Sequence, residues 1–337
     1  MDIQPRARGR AQLWYHSEEN FGALAVWTER NPGHGEDADP LVLFRRSSGR
    51  GLIAVFDGVG GAGRSVAGRT SAGVDRTQAW VASRRVRALT EEWFVGNSTA
   101  TILREHIAGR LAHEDDGRGR VRGSMHREFP TTLAGLEFRM TGAEVSWDVL
   151  WAGDSRCYVA EPELGLQQLS RDDTQSADAL ELLVQDPPMT NMVSADRRFE
   201  LNHWRGRAPL PCLLIGATDG FFGYLDAPAL FEHLLWKTLL SAQDIMHWSA
   251  LLAERVSGYT GDDASLAIVA LGFPHFNDLR VHFRERAERV DAEHAVPLAL
   301  VRPDDRAGLI TAREHSWRRY RGDYERRLRG CAEGAPV

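Results

Sequence analysis

Apolar residues arrive in short runs cut by glycine-rich or acidic turns, a punctuation that predicts a strand-rich core interleaved with helices. Ala23 to Trp27 and Leu41 to Phe44 read as strands on either side of the turn-rich loop Asn31 to Pro40. Gly51 to Phe56 is a continuous apolar run of strand length, stopped at Asp57 by a segment too rich in glycine to extend it. Helical spacing of Ala, Val, Trp and Leu then predicts one long helix over Ser65 to Phe94. A second is predicted over Ser98 to His113, opened by the capping series Asn97, Ser98 and Thr99. After a charged loop, Thr131 to Phe138, Glu144 to Trp151 and Arg156 to Ala160 read as a meander of strands. Cys212 to Ala217 repeats the earlier pattern, a buried strand that ends abruptly at Thr218-Asp219-Gly220. Helices over Ala227 to Leu240 and Ile245 to Val256 and a strand over Ser265 to Leu271 complete the apolar part, with a shorter helix near Ala179 to Leu183.

Beyond Pro274 arginine and glutamate take over, and charges alternating from Ala312 to Arg329 suit an exposed helix. The expected division is a main domain over 12–274 and a charged, helical tail over 275–337. Hydrophobic residues at 43%, charged residues at 26% and ten tryptophans describe a chain able to bury a sizeable core. A net charge of −6 gives no reason to expect nucleic acid or an anionic membrane as partner. Cys157, Cys212 and Cys331 match neither a zinc spacing nor a disulfide framework, and the first two read as buried thiols. The charged start resembles no export signal and no apolar run approaches the about 20 residues a bilayer requires, so a cytoplasmic location is expected.

The candidate chemistry lies where strands stop. A lone Asp-Gly is a turn signal. Here Glu36-Asp37, Asp57, Asp154, Asp219 and Asp262-Asp263 all fall at predicted strand ends or starts. Carboxylates gathered at that density repel one another unless a cation neutralises them, and hard divalent ions prefer all-oxygen sites.

The segments Ala54 to Gly61, Gly153 to Arg156, Ala217 to Gly220 and Gly261 to Ser265, with the upstream Glu36-Asp37, follow one another as in the type 2C, metal-dependent protein phosphatase family, which the chain resembles in its bacterial form. The likeness spans about Ala23 to Phe273. It implies an α+β fold, a four-layer αββα sandwich of two antiparallel sheets flanked by helices. It also implies two Mn²⁺ or Mg²⁺ ions in a cleft between the sheets. Carried over by motif, Asp57 bridges both ions and Gly58 offers its carbonyl to the second, which Glu36 also reaches. Asp219 and Asp262 complete the first shell, with Asp263 the alternative to Asp262. Asp37 orders the attacking water, and Asp154 with Asp219 holds a third, weaker ion. The implied reaction is in-line attack of a metal-bridging water on phosphoserine or phosphothreonine in a protein, opposite a cognate kinase. A silent regulatory module on the same fold and a phosphatase of a small phosphorylated metabolite are the competing functions.

The pattern breaks around substrate capture. Many relatives carry an arginine four residues before the metal-binding glutamate, and here that position is Pro32. The phosphate-binding cation is assigned to Arg30, with His34 and Arg64 as alternatives. Thr131 and Thr132 are read as structural, and His203 and His247 as core residues. Met189, Met192 and Phe199 fall in the place of the mobile flap that shapes substrate choice in relatives, and Trp80, Trp93 and Trp236 read as core.

Overall fold

The structure, a computed structural model, describes residues 11–328 apart from 71–72, 97–99, 113–126, 177, 186 and 197. In chain order the strands are β1 (Gln12–Glu18), β2 (Phe21–Thr28), β3 (Leu41–Arg45), β4 (Arg50–Val55), β5 (Val66–Arg69), β6 (Asp75–Thr77), β7 (Leu133–Thr141), β8 (Glu144–Ala152), β9 (Arg156–Glu161), β10 (Gly165–Gln168), β11 (Asn202–Pro209), β12 (Cys212–Ala217) and β13 (Ala264–Leu271). The helices are α1 (Gly60–Gly63), α2 (Gln78–Gly96), α3 (Ala100–Ala112), α4 (Ala179–Val184), α5 (Asp219–Phe222), α6 (Pro228–Ser241), α7 (Ile245–Tyr259), α8 (Phe276–Val290), α9 (Val296–Ala299) and α10 (Arg306–Tyr324).

A strand that is apolar on both faces needs cover on both, and four layers supply it. One sheet runs β1-β2-β13-β12-β9-β10 and the other β11-β8-β7-β4-β3, with every neighbouring pair antiparallel. In β12, Cys212 and Leu214 enter the layer between the sheets, whereas Leu213, Ile215 and Ala217 pack under α6, α7 and α8. In β4, Ile53 and Val55 meet them from the other sheet, while Leu52 and Ala54 pack under α2 and α3. Cys157 and Cys212 are buried free thiols in that middle layer.

Two expectations change. The helix predicted from Ser65 begins only at Gln78; Val66 to Thr77 instead forms the β5–β6 ribbon. The reason is visible in the spacing, because Ala79, Ala82, Val86, Leu89 and Trp93 bury one helical face whereas Val66 is 58% exposed. The cap proposed at 97–99 lies outside the described residues. The charged tail, read as exposed, is amphipathic. α8 buries Leu279, Phe283 and Val290, and α10 buries Trp317, Tyr320 and Tyr324, all but Val290 in the cluster that contains Tyr158 and Trp236. In α10 the alternating charges lie off this buried stripe, whereas α8 also buries Arg286 against Glu232.

The topology gathers six loops at one edge. Thr28 at the end of β2 pairs with Ala264 at the start of β13, so the loop leaving the one and the loop entering the other are neighbours. Ala217 near the end of β12 faces Leu266 on one side and Arg156 on the other. In the second sheet Val55 pairs with Ala134, which places the exit of β4 beside the entry to β7. Gly216 of β12 lies against the Val55 side chain, so the two sheets present these ends together.

Candidate functional site

Asp57 leaves β4 with its backbone clamped: its N–H donates to Thr132 Oγ1 (3.1 Å), and its carbonyl accepts from Thr132 N (2.8 Å) and Thr131 Oγ1 (2.7 Å). Thr132 Oγ1 also lies 2.7 Å from Ser155 Oγ, tying this turn to the one that carries Asp154. Gly153 in that second turn has φ of +106°, and a Cβ there would collide with Thr132, so only glycine fits.

Around Asp57 the carboxylates crowd. Asp37 is buried and accepts from Thr218 Oγ1 (3.0 Å). Burial first, then the Asp263 and Asp219 charges, pushes Asp37 up to about 8. Asp57 is raised by burial and by Asp37, Asp219 and Asp154; Asp154 is raised by burial, Asp219 and Asp172. Glu36 is also raised, chiefly by burial, against the hydrogen bond that Thr77 Oγ1 donates to it. Its carboxylate lies over Gly60, where a Cβ would overlap it. Gly58 sits against the Glu36 carbonyl.

Asp262 and Asp263 divide the work of their position. The Asp263 carboxylate accepts from Arg30 N (2.7 Å) and Glu36 N (2.6 Å), closing the loop between them. Asp262 is exposed and lines, with Asp154 and Asp219, a cavity of about 320 Å³ walled by Leu182, Leu183 and Val184 of α4. Arg30, His34 and Arg64 have exposed side chains on the loops at this edge.

As they stand, no three His, Cys, Asp or Glu side chains among the described residues converge closely enough to hold a metal ion. The donor set nevertheless suits a hard divalent cation: it is all oxygen, and Asp154 Oδ1 is buried without a hydrogen-bond partner. The raised proton affinities of Asp37, Asp57 and Asp154 are what buried, repelling carboxyls adopt without a cation.

Several supports rest on partners that no motif announces. Arg156 forms a buried two-bond pair with Asp172 (2.8 and 2.7 Å), and its guanidinium lies 4.2 Å from the Phe222 ring centroid. Asp173 accepts from Gly153 N (3.0 Å) and from the amides of Asn191 and Asn202, stitching residues 173–202 to the Asp154 turn. Beneath the Glu36 loop, Arg84 donates to the carbonyls of Gly35 and Glu36, and Arg76 and Arg84 lie 4.4 and 4.2 Å from the Trp80 ring. Trp80 is thus half-buried between two guanidiniums, whereas Trp93 and Trp236 are core. His203 is exposed beside Asp148, and His247 is half-buried at the start of α7, so neither is a core residue. Phe199 packs under α2 and α3.

Solved structures share this architecture. Stp1, a serine/threonine phosphatase from Staphylococcus aureus, is 16% identical with a TM-score of 0.51, the match covering 80% of this chain and 99% of that one. A bacterial serine phosphatase is 17% identical with a TM-score of 0.51, covering 78% and 98%. A single-residue variant of a bacterial serine phosphatase is 16% identical with a TM-score of 0.52, covering 78% and 98%. At such identities the likeness concerns the fold. No curated protein sequence matches the chain. The family pattern described as protein phosphatase 2C matches residues 35–255, a segment that runs from the Glu36 loop through Asp57, Asp154 and Asp219 to α7, and the chain belongs to that family.

Proposed function

We propose that the chain is a divalent-metal-dependent phosphatase of phosphoserine and phosphothreonine in proteins, acting opposite a kinase. The observation that carries this reading is the crowding of Asp37, Asp154 and Asp219 around Asp57, each raising its proton affinity, at one edge of a protein phosphatase 2C chain. Asp57 would be shared between two Mn²⁺ or Mg²⁺ ions, with Asp219 and Asp262 on one side and Glu36 and the Gly58 carbonyl on the other. Asp154 and Asp219 would serve a third. When bound there, such ions supply water activation and charge neutralisation for hydrolysis of a phosphate monoester. Thr131 and Thr132 hold Asp57 in register, and Asp37, which accepts from Thr218, would order the attacking water. Arg30, on the loop closed by Asp263, is proposed to meet the substrate phosphate.

A silent regulatory module is the second reading, favoured by the want of three converging ligands among the described residues and by Pro32 where relatives carry arginine. Hydrolysis of p-nitrophenyl phosphate and of a phosphothreonine peptide, each with Mn²⁺ and with chelator, separates the two. Mn²⁺-dependent turnover of both is expected. Turnover that persists in chelator would overturn the metal mechanism, and none with Mn²⁺ would favour the module.

A further inference from the structure

The family pattern stops at residue 255, yet the cavity beside the aspartates is held from beyond it. α10 reaches the cavity's surroundings at three points. Its Trp317 Nε1 and Arg321 Nη1 both donate to Asp178 Oδ2, at 3.1 and 2.8 Å. Asp178 is the cap of α4, its other oxygen accepting from Leu180 N and Glu181 N at 3.0 and 3.1 Å. One carboxylate therefore starts the helix that walls the cavity and ties it to α10. Tyr324 OH accepts from Arg156 Nη1 at 3.3 Å, directly after the Asp154 turn. Arg313 pairs with Asp226, which follows the Phe222 to Tyr224 segment on the cavity's far side.

α4 has only six residues, too few to persist in water without tertiary support. Its Leu180 and Leu183 pack on the core, but Val184 is 63% exposed, and Leu182, Leu183 and Val184 line the same cavity as Asp154, Asp219 and Asp262. A cavity lined by both apolar and acidic groups suits a peptide that offers its phosphate to the acidic part and an apolar neighbouring side chain to the rest.

We infer that α10 is a positioning element for substrate selection, acting through Asp178 on α4 so that Leu183 and Val184 receive an apolar side chain beside the phosphorylated residue. This rests on the phosphatase reading for its chemistry and on α10 alone for its mechanics. The test uses the full chain with Mn²⁺ and compares Asp178→Asn, Arg321→Ala and Arg321→Lys with wild type. Asparagine keeps a capping oxygen but turns a donor toward Trp317 and Arg321, so the helix cap survives while the tie to α10 is lost.

For Asp178→Asn and Arg321→Ala, the expected result is a KM about fivefold to tenfold higher for a phosphothreonine peptide flanked by leucine, since one charge-assisted tie is lost. kcat, the KM of a glutamate-flanked peptide and p-nitrophenyl phosphate turnover should stay within about twofold, and Arg321→Lys should restore most of the loss. Amide exchange at residues 180–184 should quicken about fivefold in the same two variants. Unchanged exchange there, or equal losses on all three substrates, would overturn the proposal. If wild type hydrolyses nothing, the phosphatase reading fails. The peptides are then titrated directly with unphosphorylated threonine as control, and a preference for the leucine-flanked peptide that Asp178→Asn does not reduce overturns the proposal on its own.

Discussion

Asp57→Asn is the substitution on which the metal centre stands or falls. Burial and the charges of Asp37, Asp219 and Asp154 raise the proton affinity of Asp57. Asparagine is nearly isosteric and uncharged, so the metal-free variant loses one repelling charge at this buried position. It should be as stable as wild type or more stable by about 1 kcal/mol, the scale of one hydrogen bond or one modest charge interaction. With cation present the order reverses. A ligand at 100 times its Kd adds about 2.7 kcal/mol to the state that binds it. At about 2 °C per kcal/mol for a chain of this size, wild type should rise by about 5 °C in saturating Mn²⁺. The variant, having lost the oxygen proposed to serve both ions, should not move, and its turnover of p-nitrophenyl phosphate should fall by about a thousandfold or more, some 4 kcal/mol of barrier. Thermal melts with Mn²⁺ and with chelator, run beside turnover, read both effects on one preparation. A variant that still rises by about 5 °C in Mn²⁺ would refute the assignment of Asp57, and one that unfolds without metal would refute the claim that the carboxyls repel.

The same crowding sets a pH dependence. Asp37, Asp57 and Asp154 hold protons in the folded chain at pH values where the unfolded chain has released them. The folded state thus binds more protons, and stability in chelator should be greatest near pH 4 and fall as pH rises toward 8, measured by urea unfolding. A metal-free protein more stable at pH 8 than at pH 5 would contradict these directions. Gly60→Ala puts a methyl where the Glu36 carboxylate lies and should weaken Mn²⁺ activation about tenfold or more with the circular dichroism spectrum unchanged, read by titrating activity against metal. Asp172→Ala strands the buried Arg156 guanidinium and should cost about 3–5 kcal/mol in urea unfolding. A loss below about 1 kcal/mol would mean the pair is solvated.

What the chain's pattern makes legible follows burial. β4, β12 and β13 are apolar on both faces, so their runs end sharply and the aspartates that end or precede them stand out. β1 and β11 are edge strands, β1 exposed along nearly its whole length and β11 alternating with solvent, and β11 pairs with β8, more than fifty residues earlier; nothing local marks either as sheet. α10 hid its aromatic stripe of Trp317, Tyr320 and Tyr324 among arginines, because a charge pattern reports the wet face of a helix and says nothing of the dry one. The site divides in the same way. Residue type and position at a strand end identify Asp57 and Asp219, but the groups that orient them come from other segments: Thr218 on Asp37, Thr77 on Glu36, Asp173 on Gly153. The pair Asp262 and Asp263 shows why sequence alone stops there. Two adjacent carboxylates have the same chemistry, and only the folded loop gives one of them the amides of Arg30 and Glu36 and leaves the other facing Asp154 and Asp219. That bond also bears on Arg30 itself: Asp263 holds its backbone N–H, while its exposed side chain leaves from a loop that no helix or strand stiffens, so the sequence position of this arginine says little about where its guanidinium sits.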